Sequence, residues 1–229
     1  MTTLAQRIRA GLTAIAEPER APAMQAYMKS AMPYLGVSSG PRRTMCKELF
    51  AGLDWPTSEA WQADVLAIWR GAEFREERYC ALELTSVQAA RRFHTVEALA
   101  LYEELIVDGA WWDYIDEIAG HCFAWILRAE PERMKRAMLA WAQGDNMWKR
   151  RSAILCQLDA KAGTDLDFLY ACIAPSLGSK EFFLRKAIGW ALRQYARTDA
   201  AEVARYVKAH EAELSPLSRR EALKHIKPS

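Results

Sequence analysis

The chain has 229 residues, 51% of them apolar and 26% charged, with a formal net charge of +2; this suits one large soluble domain or an extended array of repeats. No stretch approaches the roughly 18 apolar residues of a membrane span, and the start, MTTLAQRIRAGL, has neither an apolar signal core nor a cleavage site, so the chain is expected to stay in the cytoplasm of a bacterium-like cell. The charge is uneven: residues 1–130 hold 13 Lys and Arg against 18 Asp and Glu (net −5), and residues 131–229 hold 18 against 11 (net +7), which suggests an anionic partner met on one side unless the imbalance is chance.

In chain order, nearly every segment reads as amphipathic helix. In TTLAQRIRAGLTAIA, Leu4, Ile8, Leu12 and Ile15 recur at helical spacing, with Thr2 or Thr3 as cap. LGVSSGPRR reads as a loop. TSEAWQADVLAIWRG follows Pro56, offers Thr57 or Ser58 as cap and ends at Gly71. EPERMKRAMLAWAQGDN has Pro131 near its start and Gly144 at its end. DLDFLYACIAPSLGS, EFFLRKAIGWALRQYA and SPLSRREALKHIK follow the same pattern. No alternating strand competes. The expectation is an all-α chain of roughly 12 to 13 helices with short links.

The helices repeat. Aligning RRSAIL, LRKAIG and SRREAL places Ala153, Ala187 and Ala222 in one register, 34 and 35 residues apart, each with an arginine two positions earlier: Arg151, Arg185 and Arg220. The register extends back to Ala81 and Cys46, and the midpoint of the 72-residue step from Ala81 to Ala153 falls at Asp116. Small residues at a recurrent point permit close packing of stacked helix pairs. A period near 35 predicts a single HEAT-like repeat α-solenoid spanning 1–229, superhelical, with a concave basic face. Asp116 is the charged exception in a column of small residues, and such rules tend to break at functional sites.

Most of the nine tryptophans, including Trp61, Trp69, Trp125 and Trp141, fall on apolar stripes and are expected in the core. Trp112 differs, standing one helical turn before Asp116. Trp190 differs too, following Gly189 and flanked at helical spacing by Lys186 and Arg193. Arginines in register on a concave face would fit a phosphate backbone, although salt-bridged surface ladders are the alternative. The five cysteines form no C-x-x-C pair and read as core residues. His121 has no second His at ligand spacing, so no metal is expected.

These features resemble a known family. MQAYMKSAMPYLGVSSGPRR, YEELIVDGAWWDYIDEI, DNMWKRRSAILCQL, GSKEFFLRKAIGWALRQYA and LSPLSRREALKHIK, in that order over residues 20–227, resemble the bacterial HEAT-repeat DNA glycosylases of the DNA alkylation repair family, the AlkD type. The resemblance implies hydrolysis of the N-glycosidic bond of 3- and 7-alkylated purines in duplex DNA, without flipping the base into a pocket. It assigns the active-site roles to Asp116, Trp112, Trp190 and Arg151, and sets Tyr27 near the DNA. Arg43, Lys149, Arg150, Lys186, Arg193, Arg219 and Arg220 are the basic residues expected along the DNA. Departures from the pattern are Tyr114 and Ile115 between the carboxylates, the extra pair Lys149 and Arg150, and the tail HIKPS.

That chemistry suits these residue types. A purine alkylated at N3 or N7 is cationic and leaves without protonation. A carboxylate near C1′ would stabilise the oxocarbenium-like sugar and orient water, with Arg151 keeping Asp116 ionised. Trp faces attract a cationic nucleotide, and Arg151 suits the neighbouring phosphate. The expected enzyme is a monomer using water and no cofactor. The rival readings are a non-catalytic DNA-binding solenoid of the same fold and a protein-binding HEAT scaffold.

Overall fold

The computed structural model describes residues 2–226; the end of the HIKPS tail, from Lys227 on, lies outside them. Among the described residues there are fourteen α-helices and no strand, and no helix is long and apolar enough to cross a membrane. The helices fall into two compact units, one ending at Phe93 and the other beginning at His94.

The first unit holds α1 (Leu4–Ala14), α2 (Ala21–Met28), α3 (Ser39–Leu49), α4 (Ser58–Arg70) and α5 (Arg75–Thr85). Thr3 caps α1 in a reciprocal box with Gln6, and Thr57 caps α4, which stops at Gly71. SGPRR is not a loop, as the sequence suggested, but the first turn of α3. Pro41 is tolerated there because the first N–H groups of a helix have no intrahelical partner anyway. The link from α2 to α3 is fixed by Glu76 on α5. Its fully buried carboxylate accepts the backbone N–H groups of Leu35 (3.1 Å), Gly36 (2.9 Å) and Val37 (3.0 Å). Gly36 has φ +86°, and a Cβ there would overlap the Glu17 carbonyl, so only glycine fits.

The second unit holds α6 (Leu99–Gly109), α7 (Trp112–Glu117), α8 (Ala124–Ala129), α9 (Pro131–Gln143), α10 (Met147–Leu155), α11 (Leu166–Ile173), α12 (Phe182–Tyr195), α13 (Ala200–Ala209) and α14 (Pro216–Ala222). The expected stops are present: Pro131 opens α9 and Gly144 closes it. The count exceeds the expectation because α7 and α8 are two parts of one rod joined by a π-helical turn, Ile118–Phe123. Such a turn inserts an extra residue into the ladder.

The small residues of the sequence register lie in the interior. Cys46, Ala81, Ala153, Ala187 and Ala222 are all buried, on α3, α5, α10, α12 and α14. In the second unit α10 packs on α7, α12 on α10 and α14 on α12. This is the stacking of an α-solenoid, in which each helix contacts chiefly its neighbours. An outer row comes from α9 and α11 behind α10, and α13 behind α12 and α14. Trp61, Trp69 and Trp141 are buried as expected, while Trp125 is half-buried. All five cysteines are free and buried.

α12 and α14 approach closely at Gly189 of α12. A Cβ there would lie 2.5 Å from Glu221 Cβ and 2.9 Å from the Ser218 carbonyl of α14. Gly189→Ala is therefore expected to push α14 away and destabilise the protein by about 1–3 kcal/mol. Urea unfolding should show a lower midpoint with an unchanged slope.

Candidate active site

The site begins where α6 ends. Ala110 takes a left-handed conformation (φ 42°), Trp111 is extended, and α7 starts at Trp112. Asp113 lies in the first turn of α7, where its charge favours the positive end of the helix dipole. Trp112 and Asp116 stand one turn apart on one face. Trp111 instead packs edge-on against Phe183, at 5.5 Å between ring centroids, and against Trp148, at 6.2 Å.

Asn146 starts α10 by accepting the N–H groups of Trp148 and Lys149. One turn on, Arg151 is buried with its side chain only 5% exposed. Its Nε donates to Asp116 Oδ1 (2.8 Å) and its Nη2 to Asp116 Oδ2 (2.9 Å), a parallel two-bond fork. Its Nη1 donates to the Phe183 carbonyl of α12 at 2.6 Å. The guanidinium also lies 5.9 Å from the Phe183 ring centre. Trp148 and Phe183 pack at 4.9 Å, so Phe183, beside the guanidinium, joins Trp111 and Trp148 in one aromatic cluster. Trp190 is half-buried two turns further along α12.

Asp116 is 15% exposed at its side chain. Burial pushes its carboxyl pKa above the ordinary aspartate value; the hydrogen bonds and charge of Arg151 pull it down, and the Asp113 charge adds to the rise. The net direction is upward, so Arg151 offsets burial without overcoming it. A carboxylate has about four acceptor positions; Arg151 takes two, leaving capacity for a water or a cationic atom from the open side.

The other sequence-selected residues separate into groups. Tyr27, at the end of α2, is 75% exposed, and Arg43 is exposed beside Glu83 (3.1 Å); both belong to the first unit. In the second unit, Arg150 donates to the Pro175 carbonyl (2.6 Å) and Ser176 Oγ (2.9 Å). Lys149 pairs with Glu103 (2.6 Å) and lies over the Trp141 ring. Lys186 and Arg193 share Glu221. Arg219 pairs with Glu211 (2.9 Å), and Arg220 is exposed. The arginines of the repeat register are therefore not equivalent: Arg151 is locked inward, Arg185 is half-buried and Arg220 is open to solvent. Among the described residues, no three His, Cys, Asp or Glu side chains converge as a metal site would require.

Sequence reasoning missed Trp148, Phe183 and Glu221. Trp148 and Phe183 look like ordinary apolar positions. Glu221 lies beside the register residue Ala222 but 35 and 28 residues from the cations it holds, a distance no local pattern reports.

The family model described as "DNA alkylation repair enzyme" matches residues 8–226. A solved structure described as a predicted DNA alkylation repair enzyme from Enterococcus faecalis is 30% identical, with a TM-score of 0.83 over 93% of this chain and 98% of that one. None of the curated proteins matches the chain.

The fork makes Arg151 the partner that keeps a buried carboxylate tolerable. Arg151→Leu is expected to cost about 3–5 kcal/mol at about pH 7. An aspartate whose folded pKa is raised contributes most stability when protonated and loses it as pH rises through that pKa. The deficit measured by urea unfolding should accordingly be smaller at about pH 5 than at about pH 7.

Proposed function

The chain belongs to the DNA alkylation repair enzyme family, and from that premise we propose that it is a DNA glycosylase releasing cationic N3- and N7-alkylated purines from duplex DNA. The proposal takes the protein as one HEAT-like array working as a monomer, without extruding the base into a pocket. The observation that carries it is Asp116: a mostly buried carboxylate, forked by Arg151, one helical turn from a half-buried Trp112.

The reaction needs little from the protein. The alkylated base is already a cation, so the C1′–N bond breaks with its electron pair going to the base, which leaves neutral. Positive charge then grows on the deoxyribose. Asp116 stabilises that charge and takes a proton from the water that adds to C1′. Its raised pKa makes it a better proton acceptor than a free aspartate. Trp112 and Trp190 offer electron-rich faces to the cationic nucleotide, each contact contributing about 0.5–2 kcal/mol. Arg151, already committed to Asp116 and the Phe183 carbonyl, acts first by positioning the carboxylate, and toward the lesion's phosphate only as a further role. Tyr27, Arg43 and Arg220 are the exposed candidates for backbone contacts.

Base release from 7-methylguanine duplex DNA tests this. Asp116→Asn should lower the single-turnover rate by about a hundredfold or more while binding DNA at least as tightly; a full excision rate in that variant overturns the assignment. Release by the natural protein should fall with acid along a limb lying above the ordinary aspartate value of about 3.9, because burial raises the Asp116 pKa. Affinity for duplex should drop steeply with salt, by about 0.9 log units per log unit for each phosphate contact. Salt-insensitive binding would point to a protein-binding scaffold, and salt-sensitive binding without release to a non-catalytic DNA binder.

A further inference from the structure

Glu221 of α14 bonds both cations that flank Trp190. Its Oε1 accepts from Lys186 Nζ at 2.9 Å and its Oε2 from Arg193 Nη1. Lys186 precedes Trp190 by four residues and Arg193 follows it by three, so all three share one face of α12. The carboxylate comes from directly above: Glu221 Cβ sits within 2.5 Å of where a side chain on Gly189 would begin. The glycine beside Trp190 is thus what lets α14 bring a negative charge onto this face. Glu221 is itself only 16% exposed, whereas Lys186 is 38% exposed and retains outward N–H donors.

We propose that Glu221 is an internal stand-in for a DNA phosphate, a positioning residue that holds Lys186 and Arg193 beside Trp190 and halves their net charge until DNA arrives. This rests on the reading of the protein as a DNA-binding repair enzyme. The trio carries +1 instead of +2, so undamaged duplex is held weakly there. The cations are nonetheless pre-ordered, and a backbone phosphate meets them without their side chains having to be fixed first. The fork from Glu221 fastens α14 to α12 as well, and that structural role must be separated from the electrostatic one.

The experiment is a salt titration of binding to an unmodified fluorescent duplex, with base release from a 7-methylguanine duplex measured in parallel. Glu221→Gln keeps the shape and removes the charge. It should raise affinity for unmodified duplex about five- to tenfold and steepen the log–log salt slope by about one, as one more phosphate contact would. It should lower KM for excision more than it changes kcat. Ser218→Ala is the structural control, because it removes the Ser218 Oγ bond to the Arg185 carbonyl (2.9 Å) across the same α12–α14 joint without altering charge. Adding Lys186→Gln and Arg193→Gln to Glu221→Gln should cancel the gain. The proposal is overturned if Glu221→Gln leaves affinity and slope at the natural values, if Ser218→Ala reproduces its effect, or if the gain survives loss of both cations. If the natural protein neither binds nor processes DNA, it is the function that fails; normal release with an inert Glu221→Gln sinks this inference alone.

Discussion

Arg151 is the interaction on which the site depends. From α10 it reaches back to Asp116 on α7 and forward to the Phe183 carbonyl at the start of α12. One side chain therefore ties three successive helices of the stack at a single point. Relative to apolar side chains of the same volume, a buried ion pair stabilises little or nothing. Its consequence is geometric. A charge is held at one place, with one set of acceptor directions used and the rest left open. Removing either partner strands the other in an environment that penalises it, so the two residues form one structural element.

Five positions of the sequence register hold a small buried residue. The sixth holds Asp116, and the helix around it is irregular. The helix carrying Asp116 begins after a left-handed residue at Ala110 and passes into a π turn directly after Glu117. The carboxylate sits on a six-residue α-helix that runs straight into the π turn. Phe183 packs against Trp148 and lies beside the Arg151 guanidinium.

Much of this was legible from the residues in order. Helix ends at Gly71, Pro131 and Gly144 were announced by local chemistry, those at Thr3 and Thr57 to within one residue, and the small residues of the 35-residue period are buried. The contrast between Asp116 and its register-mates was visible too. What escaped was of two kinds. SGPRR looked like a loop because glycine and proline are turn residues, yet the first turn of a helix makes no use of the N–H that proline lacks. The partners of other charged side chains escaped because they lie about one repeat or more away: Lys149 with Glu103 and Lys186 with Glu221; only Arg151 with Asp116 was anticipated. A ladder of arginines in sequence gave no sign that one would face inward, one would be half-buried and one would lie open.

That same pairing changes what the net charge means. The residues after 130 carry +7, which reads as a strongly basic surface. Yet Arg133, Lys135, Lys149, Arg193, Arg205 and Arg219 each have a carboxylate within 4 Å, and Arg150 is spent on a carbonyl and a hydroxyl. An anion approaching the second unit as a whole, residues 94–229, meets 19 Lys and Arg matched by 19 Asp and Glu. It meets cations already neutralised in place, a few open ones such as Arg220, and joints where a carboxylate could be exchanged for a phosphate at small electrostatic cost. A surface built this way binds polyanions weakly on average and selectively where the exchange is favourable. On the proposed function, which needs the protein to pass over intact duplex and stop at a cationic lesion, weak average attraction would matter as much as the site itself.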